Sequence, residues 1–568
     1  DLDDLRTELT TRYPDKTEAE IEELFQAAKK ADPQLNVRAF TSIGAIYGGG
    51  LSAEMYANPT VSINVVKGSR SATVINEGQY TPSTAPFNHL PYPAHAAGTI
   101  GTIGNVFGGG NLATVHGDVT VNIGTETAVD FVTEPAHLGT GKYSTRETSP
   151  RYTGVAVEGA NITGSVYGGG NLANVTGDTQ VNICAKKNDS DVYESVTPGT
   201  AGVTIGGDVF GAGKGSETNI SAALVEGNSN VYMGNGWVKN NVYGGGSLGA
   251  VGTFTSYTNA QTGSKEYTWT VGGVSNVTIA GGMVGPETMD PTTVRDKGNV
   301  FGAGKGSDGL FECESAMVKQ SNVVISNGTV KGTVYGGGEV GRVETNTSVT
   351  IGTNLNDLAE GETSAPDIRG SVFGAGKGLD THGYSALVRG NSTVTVQGNA
   401  KVGLSIYGGG EIASVGRYKI VDGLPTTPVS GGVCTVTVRD NAEIGPDNMR
   451  MVTESGYPDD TGYIFGGGKG VLPRSGIQRM NENNALETYT DETDYTRYVM
   501  TLALASDTHV TVDGNAFVKG SVYGGSENGY VQRDTHVTIA GGQIGCGKNT
   551  KKRHKDEYSG EWDADYVQ

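Results

Sequence analysis

The chain is short of positive charge, of cysteine and of long apolar runs, and each shortage closes off a class of protein. Lys and Arg number 41 against 61 Asp and Glu, for a net charge of −20 over 568 residues. A nucleic-acid partner requires an overall or local cationic surface. The one basic run, Lys548–Lys555, stands near the C-terminal end and reads as a solvated loop. Cys184, Cys313, Cys434 and Cys546 are over a hundred residues apart and form no C-x-x-C, which excludes a zinc site and a dense disulfide scaffold. Cys434, in VCTVTV, shares a face with Val436 and Val438 and reads as a small core residue. No apolar stretch is long enough to cross a membrane. Helix formers are scarce after the first forty residues. The chain begins at Asp1 with neither methionine nor signal peptide and is expected to be a processed or excised piece; it stops at Gln568 before the expected third strand of its last coil, so the natural protein is expected to continue.

Glycine, by contrast, occurs 90 times, far above its usual share of roughly 7%. β-Branched residues recur in ordered alternation, which argues against disorder. An aromatic followed by Gly-Gly/Ala-Gly recurs at Tyr47, Phe107, Tyr167, Phe210, Tyr243, Phe301, Tyr335, Phe373, Tyr407, Phe465 and Tyr523. Tyr and Phe alternate without exception. Such self-similarity means stacked repeats. The shortest unit, 373–407, holds three apolar runs, SALV, STVTV and KVGLSIY, each bounded by Gly or Asn. The predicted fold is all-β, a single parallel β-helix of about eleven three-stranded coils over 41–545. Residues 1–40 are expected to form a helical N-terminal cap, from the capping box at 17–20 and the stripe Ile21, Leu24, Phe25, Ala28. Residues 546–568 read as an incomplete final coil or tail.

The motif SVFGAGKG, 371–378, places a lysine among glycines as a phosphate-binding loop does. It fails that test: Gly378 stands where a Walker loop needs Ser or Thr, and no helix follows. GGSLG, 245–249, is a similar decoy for a nucleophile motif. The lysine belongs instead to a column four residues after each aromatic. That column runs Leu51, Asn111, Asn171, Lys214, Ser247, Lys305, Glu339, Lys377, Glu411, Lys469, Glu527. From Lys305 the sign alternates, so stacking is expected to turn each step into an ion pair. The glycines are expected to supply positive φ and lack of bulk at a sharp corner. Glu217, Asp308 and Asp380 are expected beside their lysines rather than on calcium. Ice binding is not indicated, because threonine holds no outward column in T-x-T form.

Insertions fall mainly on alternate coils, as loops on every coil would collide, and the spacing predicts most of them along one edge. Insertions mark the binding side of a solenoid. Their Tyr and Arg residues suit recognition, and Tyr143, Arg146, Tyr152 and Tyr457 are the candidate binding residues.

The repeats VFGGGNLATVHGDVTVNIG (106–124) and VYGGGNLANVTGDTQVNIC (166–184) resemble glycine-rich repeat regions of large secreted surface proteins and adhesins of gut Bacteroidetes and related bacteria. The resemblance covers roughly 43–545 and carries no catalytic residues. It implies an extracellular or cell-surface rod. The function expected is that of a structural or adhesive β-solenoid, binding through its insertion-bearing face. Its partners would be a host glycan or protein, or neighbouring copies in a surface fibre. No enzyme activity, cofactor, metal, nucleic acid or membrane span is expected. Two rivals are a polysaccharide-active β-helix enzyme, which would need paired carboxylates, and a phage tail-spike or fibre.

Overall fold

The computed structural model describes residues 2–31, 42–69, 102–125, 153–199, 202–290, 294–311, 314–421, 423–446 and 461–545. Two helices come first, α1 (Leu2–Arg12) and α2 (Glu18–Ala31). The capping box forms: the Thr17 N–H donates to Glu20 Oε2 at 2.9 Å, and the Glu20 N–H to Thr17 Oγ1 at 3.4 Å. Leu9, Ile21 and Phe25 are buried. Among the described residues no helix is long and apolar enough to cross a membrane.

From Ser42 onward the chain is built mostly of strands, in one sheet of 22 strands and one of 11, an arrangement consistent with a β-solenoid. The 11-stranded sheet collects the long strand of each repeat, from Thr60–Ile63 to Thr535–Ile539, every neighbour parallel. Register is kept across it: Val121, Val181, Val231, Val277, Val323, Val349, Val394, Val436 and Val510 are successive Cα partners. Period-two alternation points these valines inward and Thr, Asn or Ser outward. Val, Ile, Ala and Met from the sheets fill one continuous interior, with Cys184 among them.

The runs read from the sequence do not map one-to-one onto strands. The third run splits: Lys401–Val402 and Ile406–Tyr407 are separate strands, with a bend between them. The first run shrinks to a single bridging valine, as in the parallel series Val318, Val343, Val388, Val415. The insertions also depart from expectation. Those at 185–201 and 353–367 follow the long strand. Those at 285–297 and 446–462 leave from the bend just described. The hairpins Thr253–Thr258/Lys265–Val271 and Arg417–Val421/Leu424–Ser430 precede the long strand. Residues 471–500 leave from the glycine corner. A winding with more bends than three has more exits, so the insertions are not confined to one edge.

The glycine corner is tight for a different reason from the one predicted. None of its three-glycine runs has positive φ. A Cβ at Gly374 would instead lie 2.2 Å from the carbonyl oxygen of Gly408 in the next winding. The first glycine of every corner from Gly48 to Gly466 meets the same obstacle, at 2.0 to 2.4 Å. Backbone stacks on backbone here, and any side chain would wedge the windings apart.

Candidate functional site

The eleven aromatics lie one on another. Ten consecutive ring pairs, from Tyr47–Phe107 to Phe465–Tyr523, have centroids 4.4 to 5.1 Å apart and planes within 13°. Those from Phe107 to Phe465 are buried, whereas Tyr523 is 46% exposed. Each stacked pair adds about 0.5–1.5 kcal/mol beyond its burial.

The charged column stands beside the rings, and the two are wired together. Glu339 lies 3.6 Å from Lys305 and 3.0 Å from Lys377. The Tyr243 hydroxyl also donates to Glu339, reaching past the intervening Phe winding. Likewise Tyr335 donates to Glu411 at 2.6 Å, and Tyr407 to Glu527. From Lys305 onward, tyrosine windings therefore carry the glutamates and phenylalanine windings the lysines, which gives the Tyr/Phe alternation a physical cause in that part of the stack. The ladder is not a pair at every step. Glu411 turns to Arg295 at 3.5 Å, a residue of the 285–297 insertion. Among the described residues Lys469 makes no ion pair with Glu411. Lower down, Asn171 Nδ2 donates to Asn111 Oδ1 at 2.7 Å, and Lys214 and Ser247 continue the column. Asp380 pairs with Arg474, and Glu217 accepts from Ser307, so neither sits on its own lysine.

A second interior column is absent from the sequence reading. Buried hydroxyls at the start of the long strands donate across the core to corner carbonyls: Ser229 to Gly244, Ser275 to Gly302, Ser321 to Gly336, Thr347 to Gly374 and Ser392 to Gly408, at 2.5 to 2.7 Å. Its signal was a recurrent Ser or Thr two residues before the inward valine. Cys434 occupies this column between Ser392 and Thr508, fully buried, its thiol pushed up to about 12 by burial. On the outer face, Thr350, Thr395, Thr437, Thr511 and Thr538 are register partners, so threonine does hold a column. Only the strands at 393–395 and 435–437 have T-x-T form.

Insertions strap the side of the stack. The tip of the 253–271 hairpin reaches windings far ahead of it, where Glu266 meets the buried Arg342, Glu344 and Arg389 and the partly exposed Arg417. Arg342 Nε donates to Glu344 at 2.6 Å, and Arg417 Nε to Glu266 at 3.2 Å. Asn259, Thr262 and Tyr257 also donate to Glu266. Burial opposes the charge on Glu266, but these donors and Arg417 outweigh it and hold its carboxyl low. Three arginines face two glutamates. Arg389 Nε has no hydrogen-bond partner, and burial, then the neighbouring Arg342, lowers the Arg389 pKa to about 10. Residues 471–500 fold the other way, with Met480 N–H on Thr381 O at 2.8 Å and Tyr498 on Asp380 O at 2.8 Å. Ile477, Tyr498, Val499 and Leu502 bury an apolar patch there with Leu424.

One cleft opens on the outside of the 22-stranded sheet, with a volume of about 460 Å³. Its walls are the parallel strands Asp367–Ile368, Lys401–Val402 and Glu443–Ile444, which put Asp367, Lys401 and Glu443 in register. Two residues further along each strand stand Arg369, Gly403 and Gly445, and Lys519 follows on the next strand. The cleft, or notch, lies between Arg369 and Lys519, with the Lys519 side chain lying over Gly445. Arg369 Nε lies 3.2 Å from Asp367. Lys519 Nζ donates to Gly445 O at 3.0 Å and lies 3.6 Å from Glu443.

No family model, curated protein or solved structure matches this chain. Among the described residues no group of three or more His, Cys, Asp or Glu is placed to hold a metal. Tyr143, Arg146, Tyr152 and Tyr457 lie outside the described residues, as do Cys313, Cys546, the basic run and the 546–568 tail.

Proposed function

We propose that the chain is an extracellular structural or adhesive β-solenoid of a bacterial surface protein. In this reading it has about eleven coils, with α1 and α2 covering the open first coil, and it binds through its insertions. One observation carries the reading. The repeated aromatic, hydroxyl and charged side chains form columns directed at the next winding, so the repeat builds a rod and leaves variable chemistry to the insertions. Solenoids divide labour in this way between stacked core and loops. The repeats' resemblance to surface-protein regions gives the setting. The test is a glycan array and a host-protein panel probed with the purified chain and with a variant lacking 447–460. Binding that the deletion abolishes supports an adhesive insertion face. Turnover of a polysaccharide, or absence of binding to any glycan or host protein, would overturn it.

A further inference from the structure

We infer that the notch between Arg369 and Lys519, at the root of the 446–462 insertion, is a binding site for a carboxylated sugar, an inference that rests on the adhesive reading but seats the ligand on the stack where that insertion leaves it. Arg369 is the decisive residue. Its side chain is 52% exposed, and only its Nε is engaged, by Asp367. Neither terminal nitrogen has a hydrogen-bond partner among the described residues, and the residue lines the notch. A planar guanidinium fork fits a carboxylate in bidentate fashion. Lys401, exposed on the adjoining strand, adds a second cation beside it.

The remaining walls suit the rest of a sugar. Asp367 and Glu443 are carboxylates with lone pairs to accept from hydroxyl groups, each held in place by one cation. Leu404 and Pro446 give a small apolar surface for ring C–H groups. The lining carries three cations and two carboxylates, a composition that favours an acidic over a neutral sugar. The cleft's volume lies within the roughly 300–1,000 Å³ typical of small-ligand sites. Gly403 and Gly445 are two successive glycines in a column that elsewhere carries either glycine (Gly206, Gly285, Gly545) or a cation (Lys239, Lys331, Arg369, Lys519).

The experiment titrates the full chain with galacturonate oligosaccharides, with N-acetylneuraminate-terminated glycans and with the methyl esters of both. Either acid presents the carboxylate that the fork requires, and the two arms say which one binds. The expected result is binding of at least one acid, a loss of tenfold or more for its methyl ester, and a similar loss in Arg369→Gln. That side chain is at the surface, and an unchanged melting temperature verifies the fold. Acid and ester binding equally, or Arg369→Gln binding as the parent does, would overturn the site. If glycan binding survives Arg369→Gln but disappears in the variant lacking 447–460, the notch inference fails while the adhesive reading stands. Absence of binding to any glycan or host protein fails both.

Discussion

A single phenolic oxygen separates the two kinds of winding. Tyr335 donates to Glu411, and the same geometry recurs for Tyr243 with Glu339. Tyr335→Phe leaves the ring stack intact and removes only that bond. Hydrogen bonds to charged groups contribute about 1.5–3 kcal/mol, and Glu411 keeps Arg295, so urea unfolding should show a loss near the lower end of that range. A loss indistinguishable from zero would mean that the alternation has another origin. Glu339 also makes stability depend on pH. Burial opposes its charge, but Lys377, Lys305 and the Tyr243 hydroxyl outweigh burial and hold its carboxyl below 4.5. A carboxyl lowered in the folded state adds stability that is complete above its unfolded value and is lost as pH falls through the folded one. The melting temperature should therefore drop on acidification below about 4.5, and Glu339→Gln should flatten that part of the profile. Cys434 offers a gain. It interrupts the hydroxyl column, and Cys434→Ser restores a donor opposite a corner carbonyl, so a rise of about 0.5–1.5 kcal/mol is expected by calorimetry.

Elements rather than residues decide how closely the windings approach. Gly374→Ala sets a methyl 2.2 Å from the Gly408 carbonyl. Overpacking of this kind costs about 1–3 kcal/mol, whereas the neighbouring Ala375→Gly, at a position that already tolerates either residue, should cost about 1 kcal/mol or less. Reversal of that order in denaturant titrations would refute backbone contact as the reason for the corner glycines. The aromatic and charged columns were legible in the sequence because they repeat at every winding, so spacing alone aligns them. The corner's glycines were legible as a corner but not in their mechanism, since spacing says nothing of φ. The bend inside KVGLSIY went unread because Gly403 looks like a tolerated glycine within a strand. The straps were out of reach for another reason. Glu266 and Arg417 are 151 positions apart and belong to insertions that do not repeat. Their cluster has an excess cation, which sets the sign of two substitutions. Glu344→Gln removes a buried anion from among three arginines and should cost about 3–5 kcal/mol. Arg389→Met relieves the excess and should cost far less, or stabilise, in the same urea assay.

Across the whole molecule, a stack whose windings touch only their neighbours would unfold piecemeal, each winding free to fray from its end. The straps change that expectation for the middle of this one. The 253–271 hairpin ties forward to Arg417, while residues 471–500 tie back to Asp380, Thr381 and, through Asn484, the Phe311 loop. The two spans overlap between 311 and 417, so windings there are joined by more than adjacency. The last described winding is tied back by Gln532 Nε2, which donates to Thr426 O at 2.6 Å, while its Val537, Ile539 and Ile544 are exposed. Amide exchange reports the local free energy of opening. It should show one strongly protected block from about 300 to 440 with a common opening free energy, and a graded fall in protection toward 535–544. Loosening the forward strap at its own residue with Glu266→Gln should break that block, leaving windings near Val343 to exchange independently of those near Val388. A gradient running unbroken through the middle in the parent chain would show that the straps lie on the stack without coupling it.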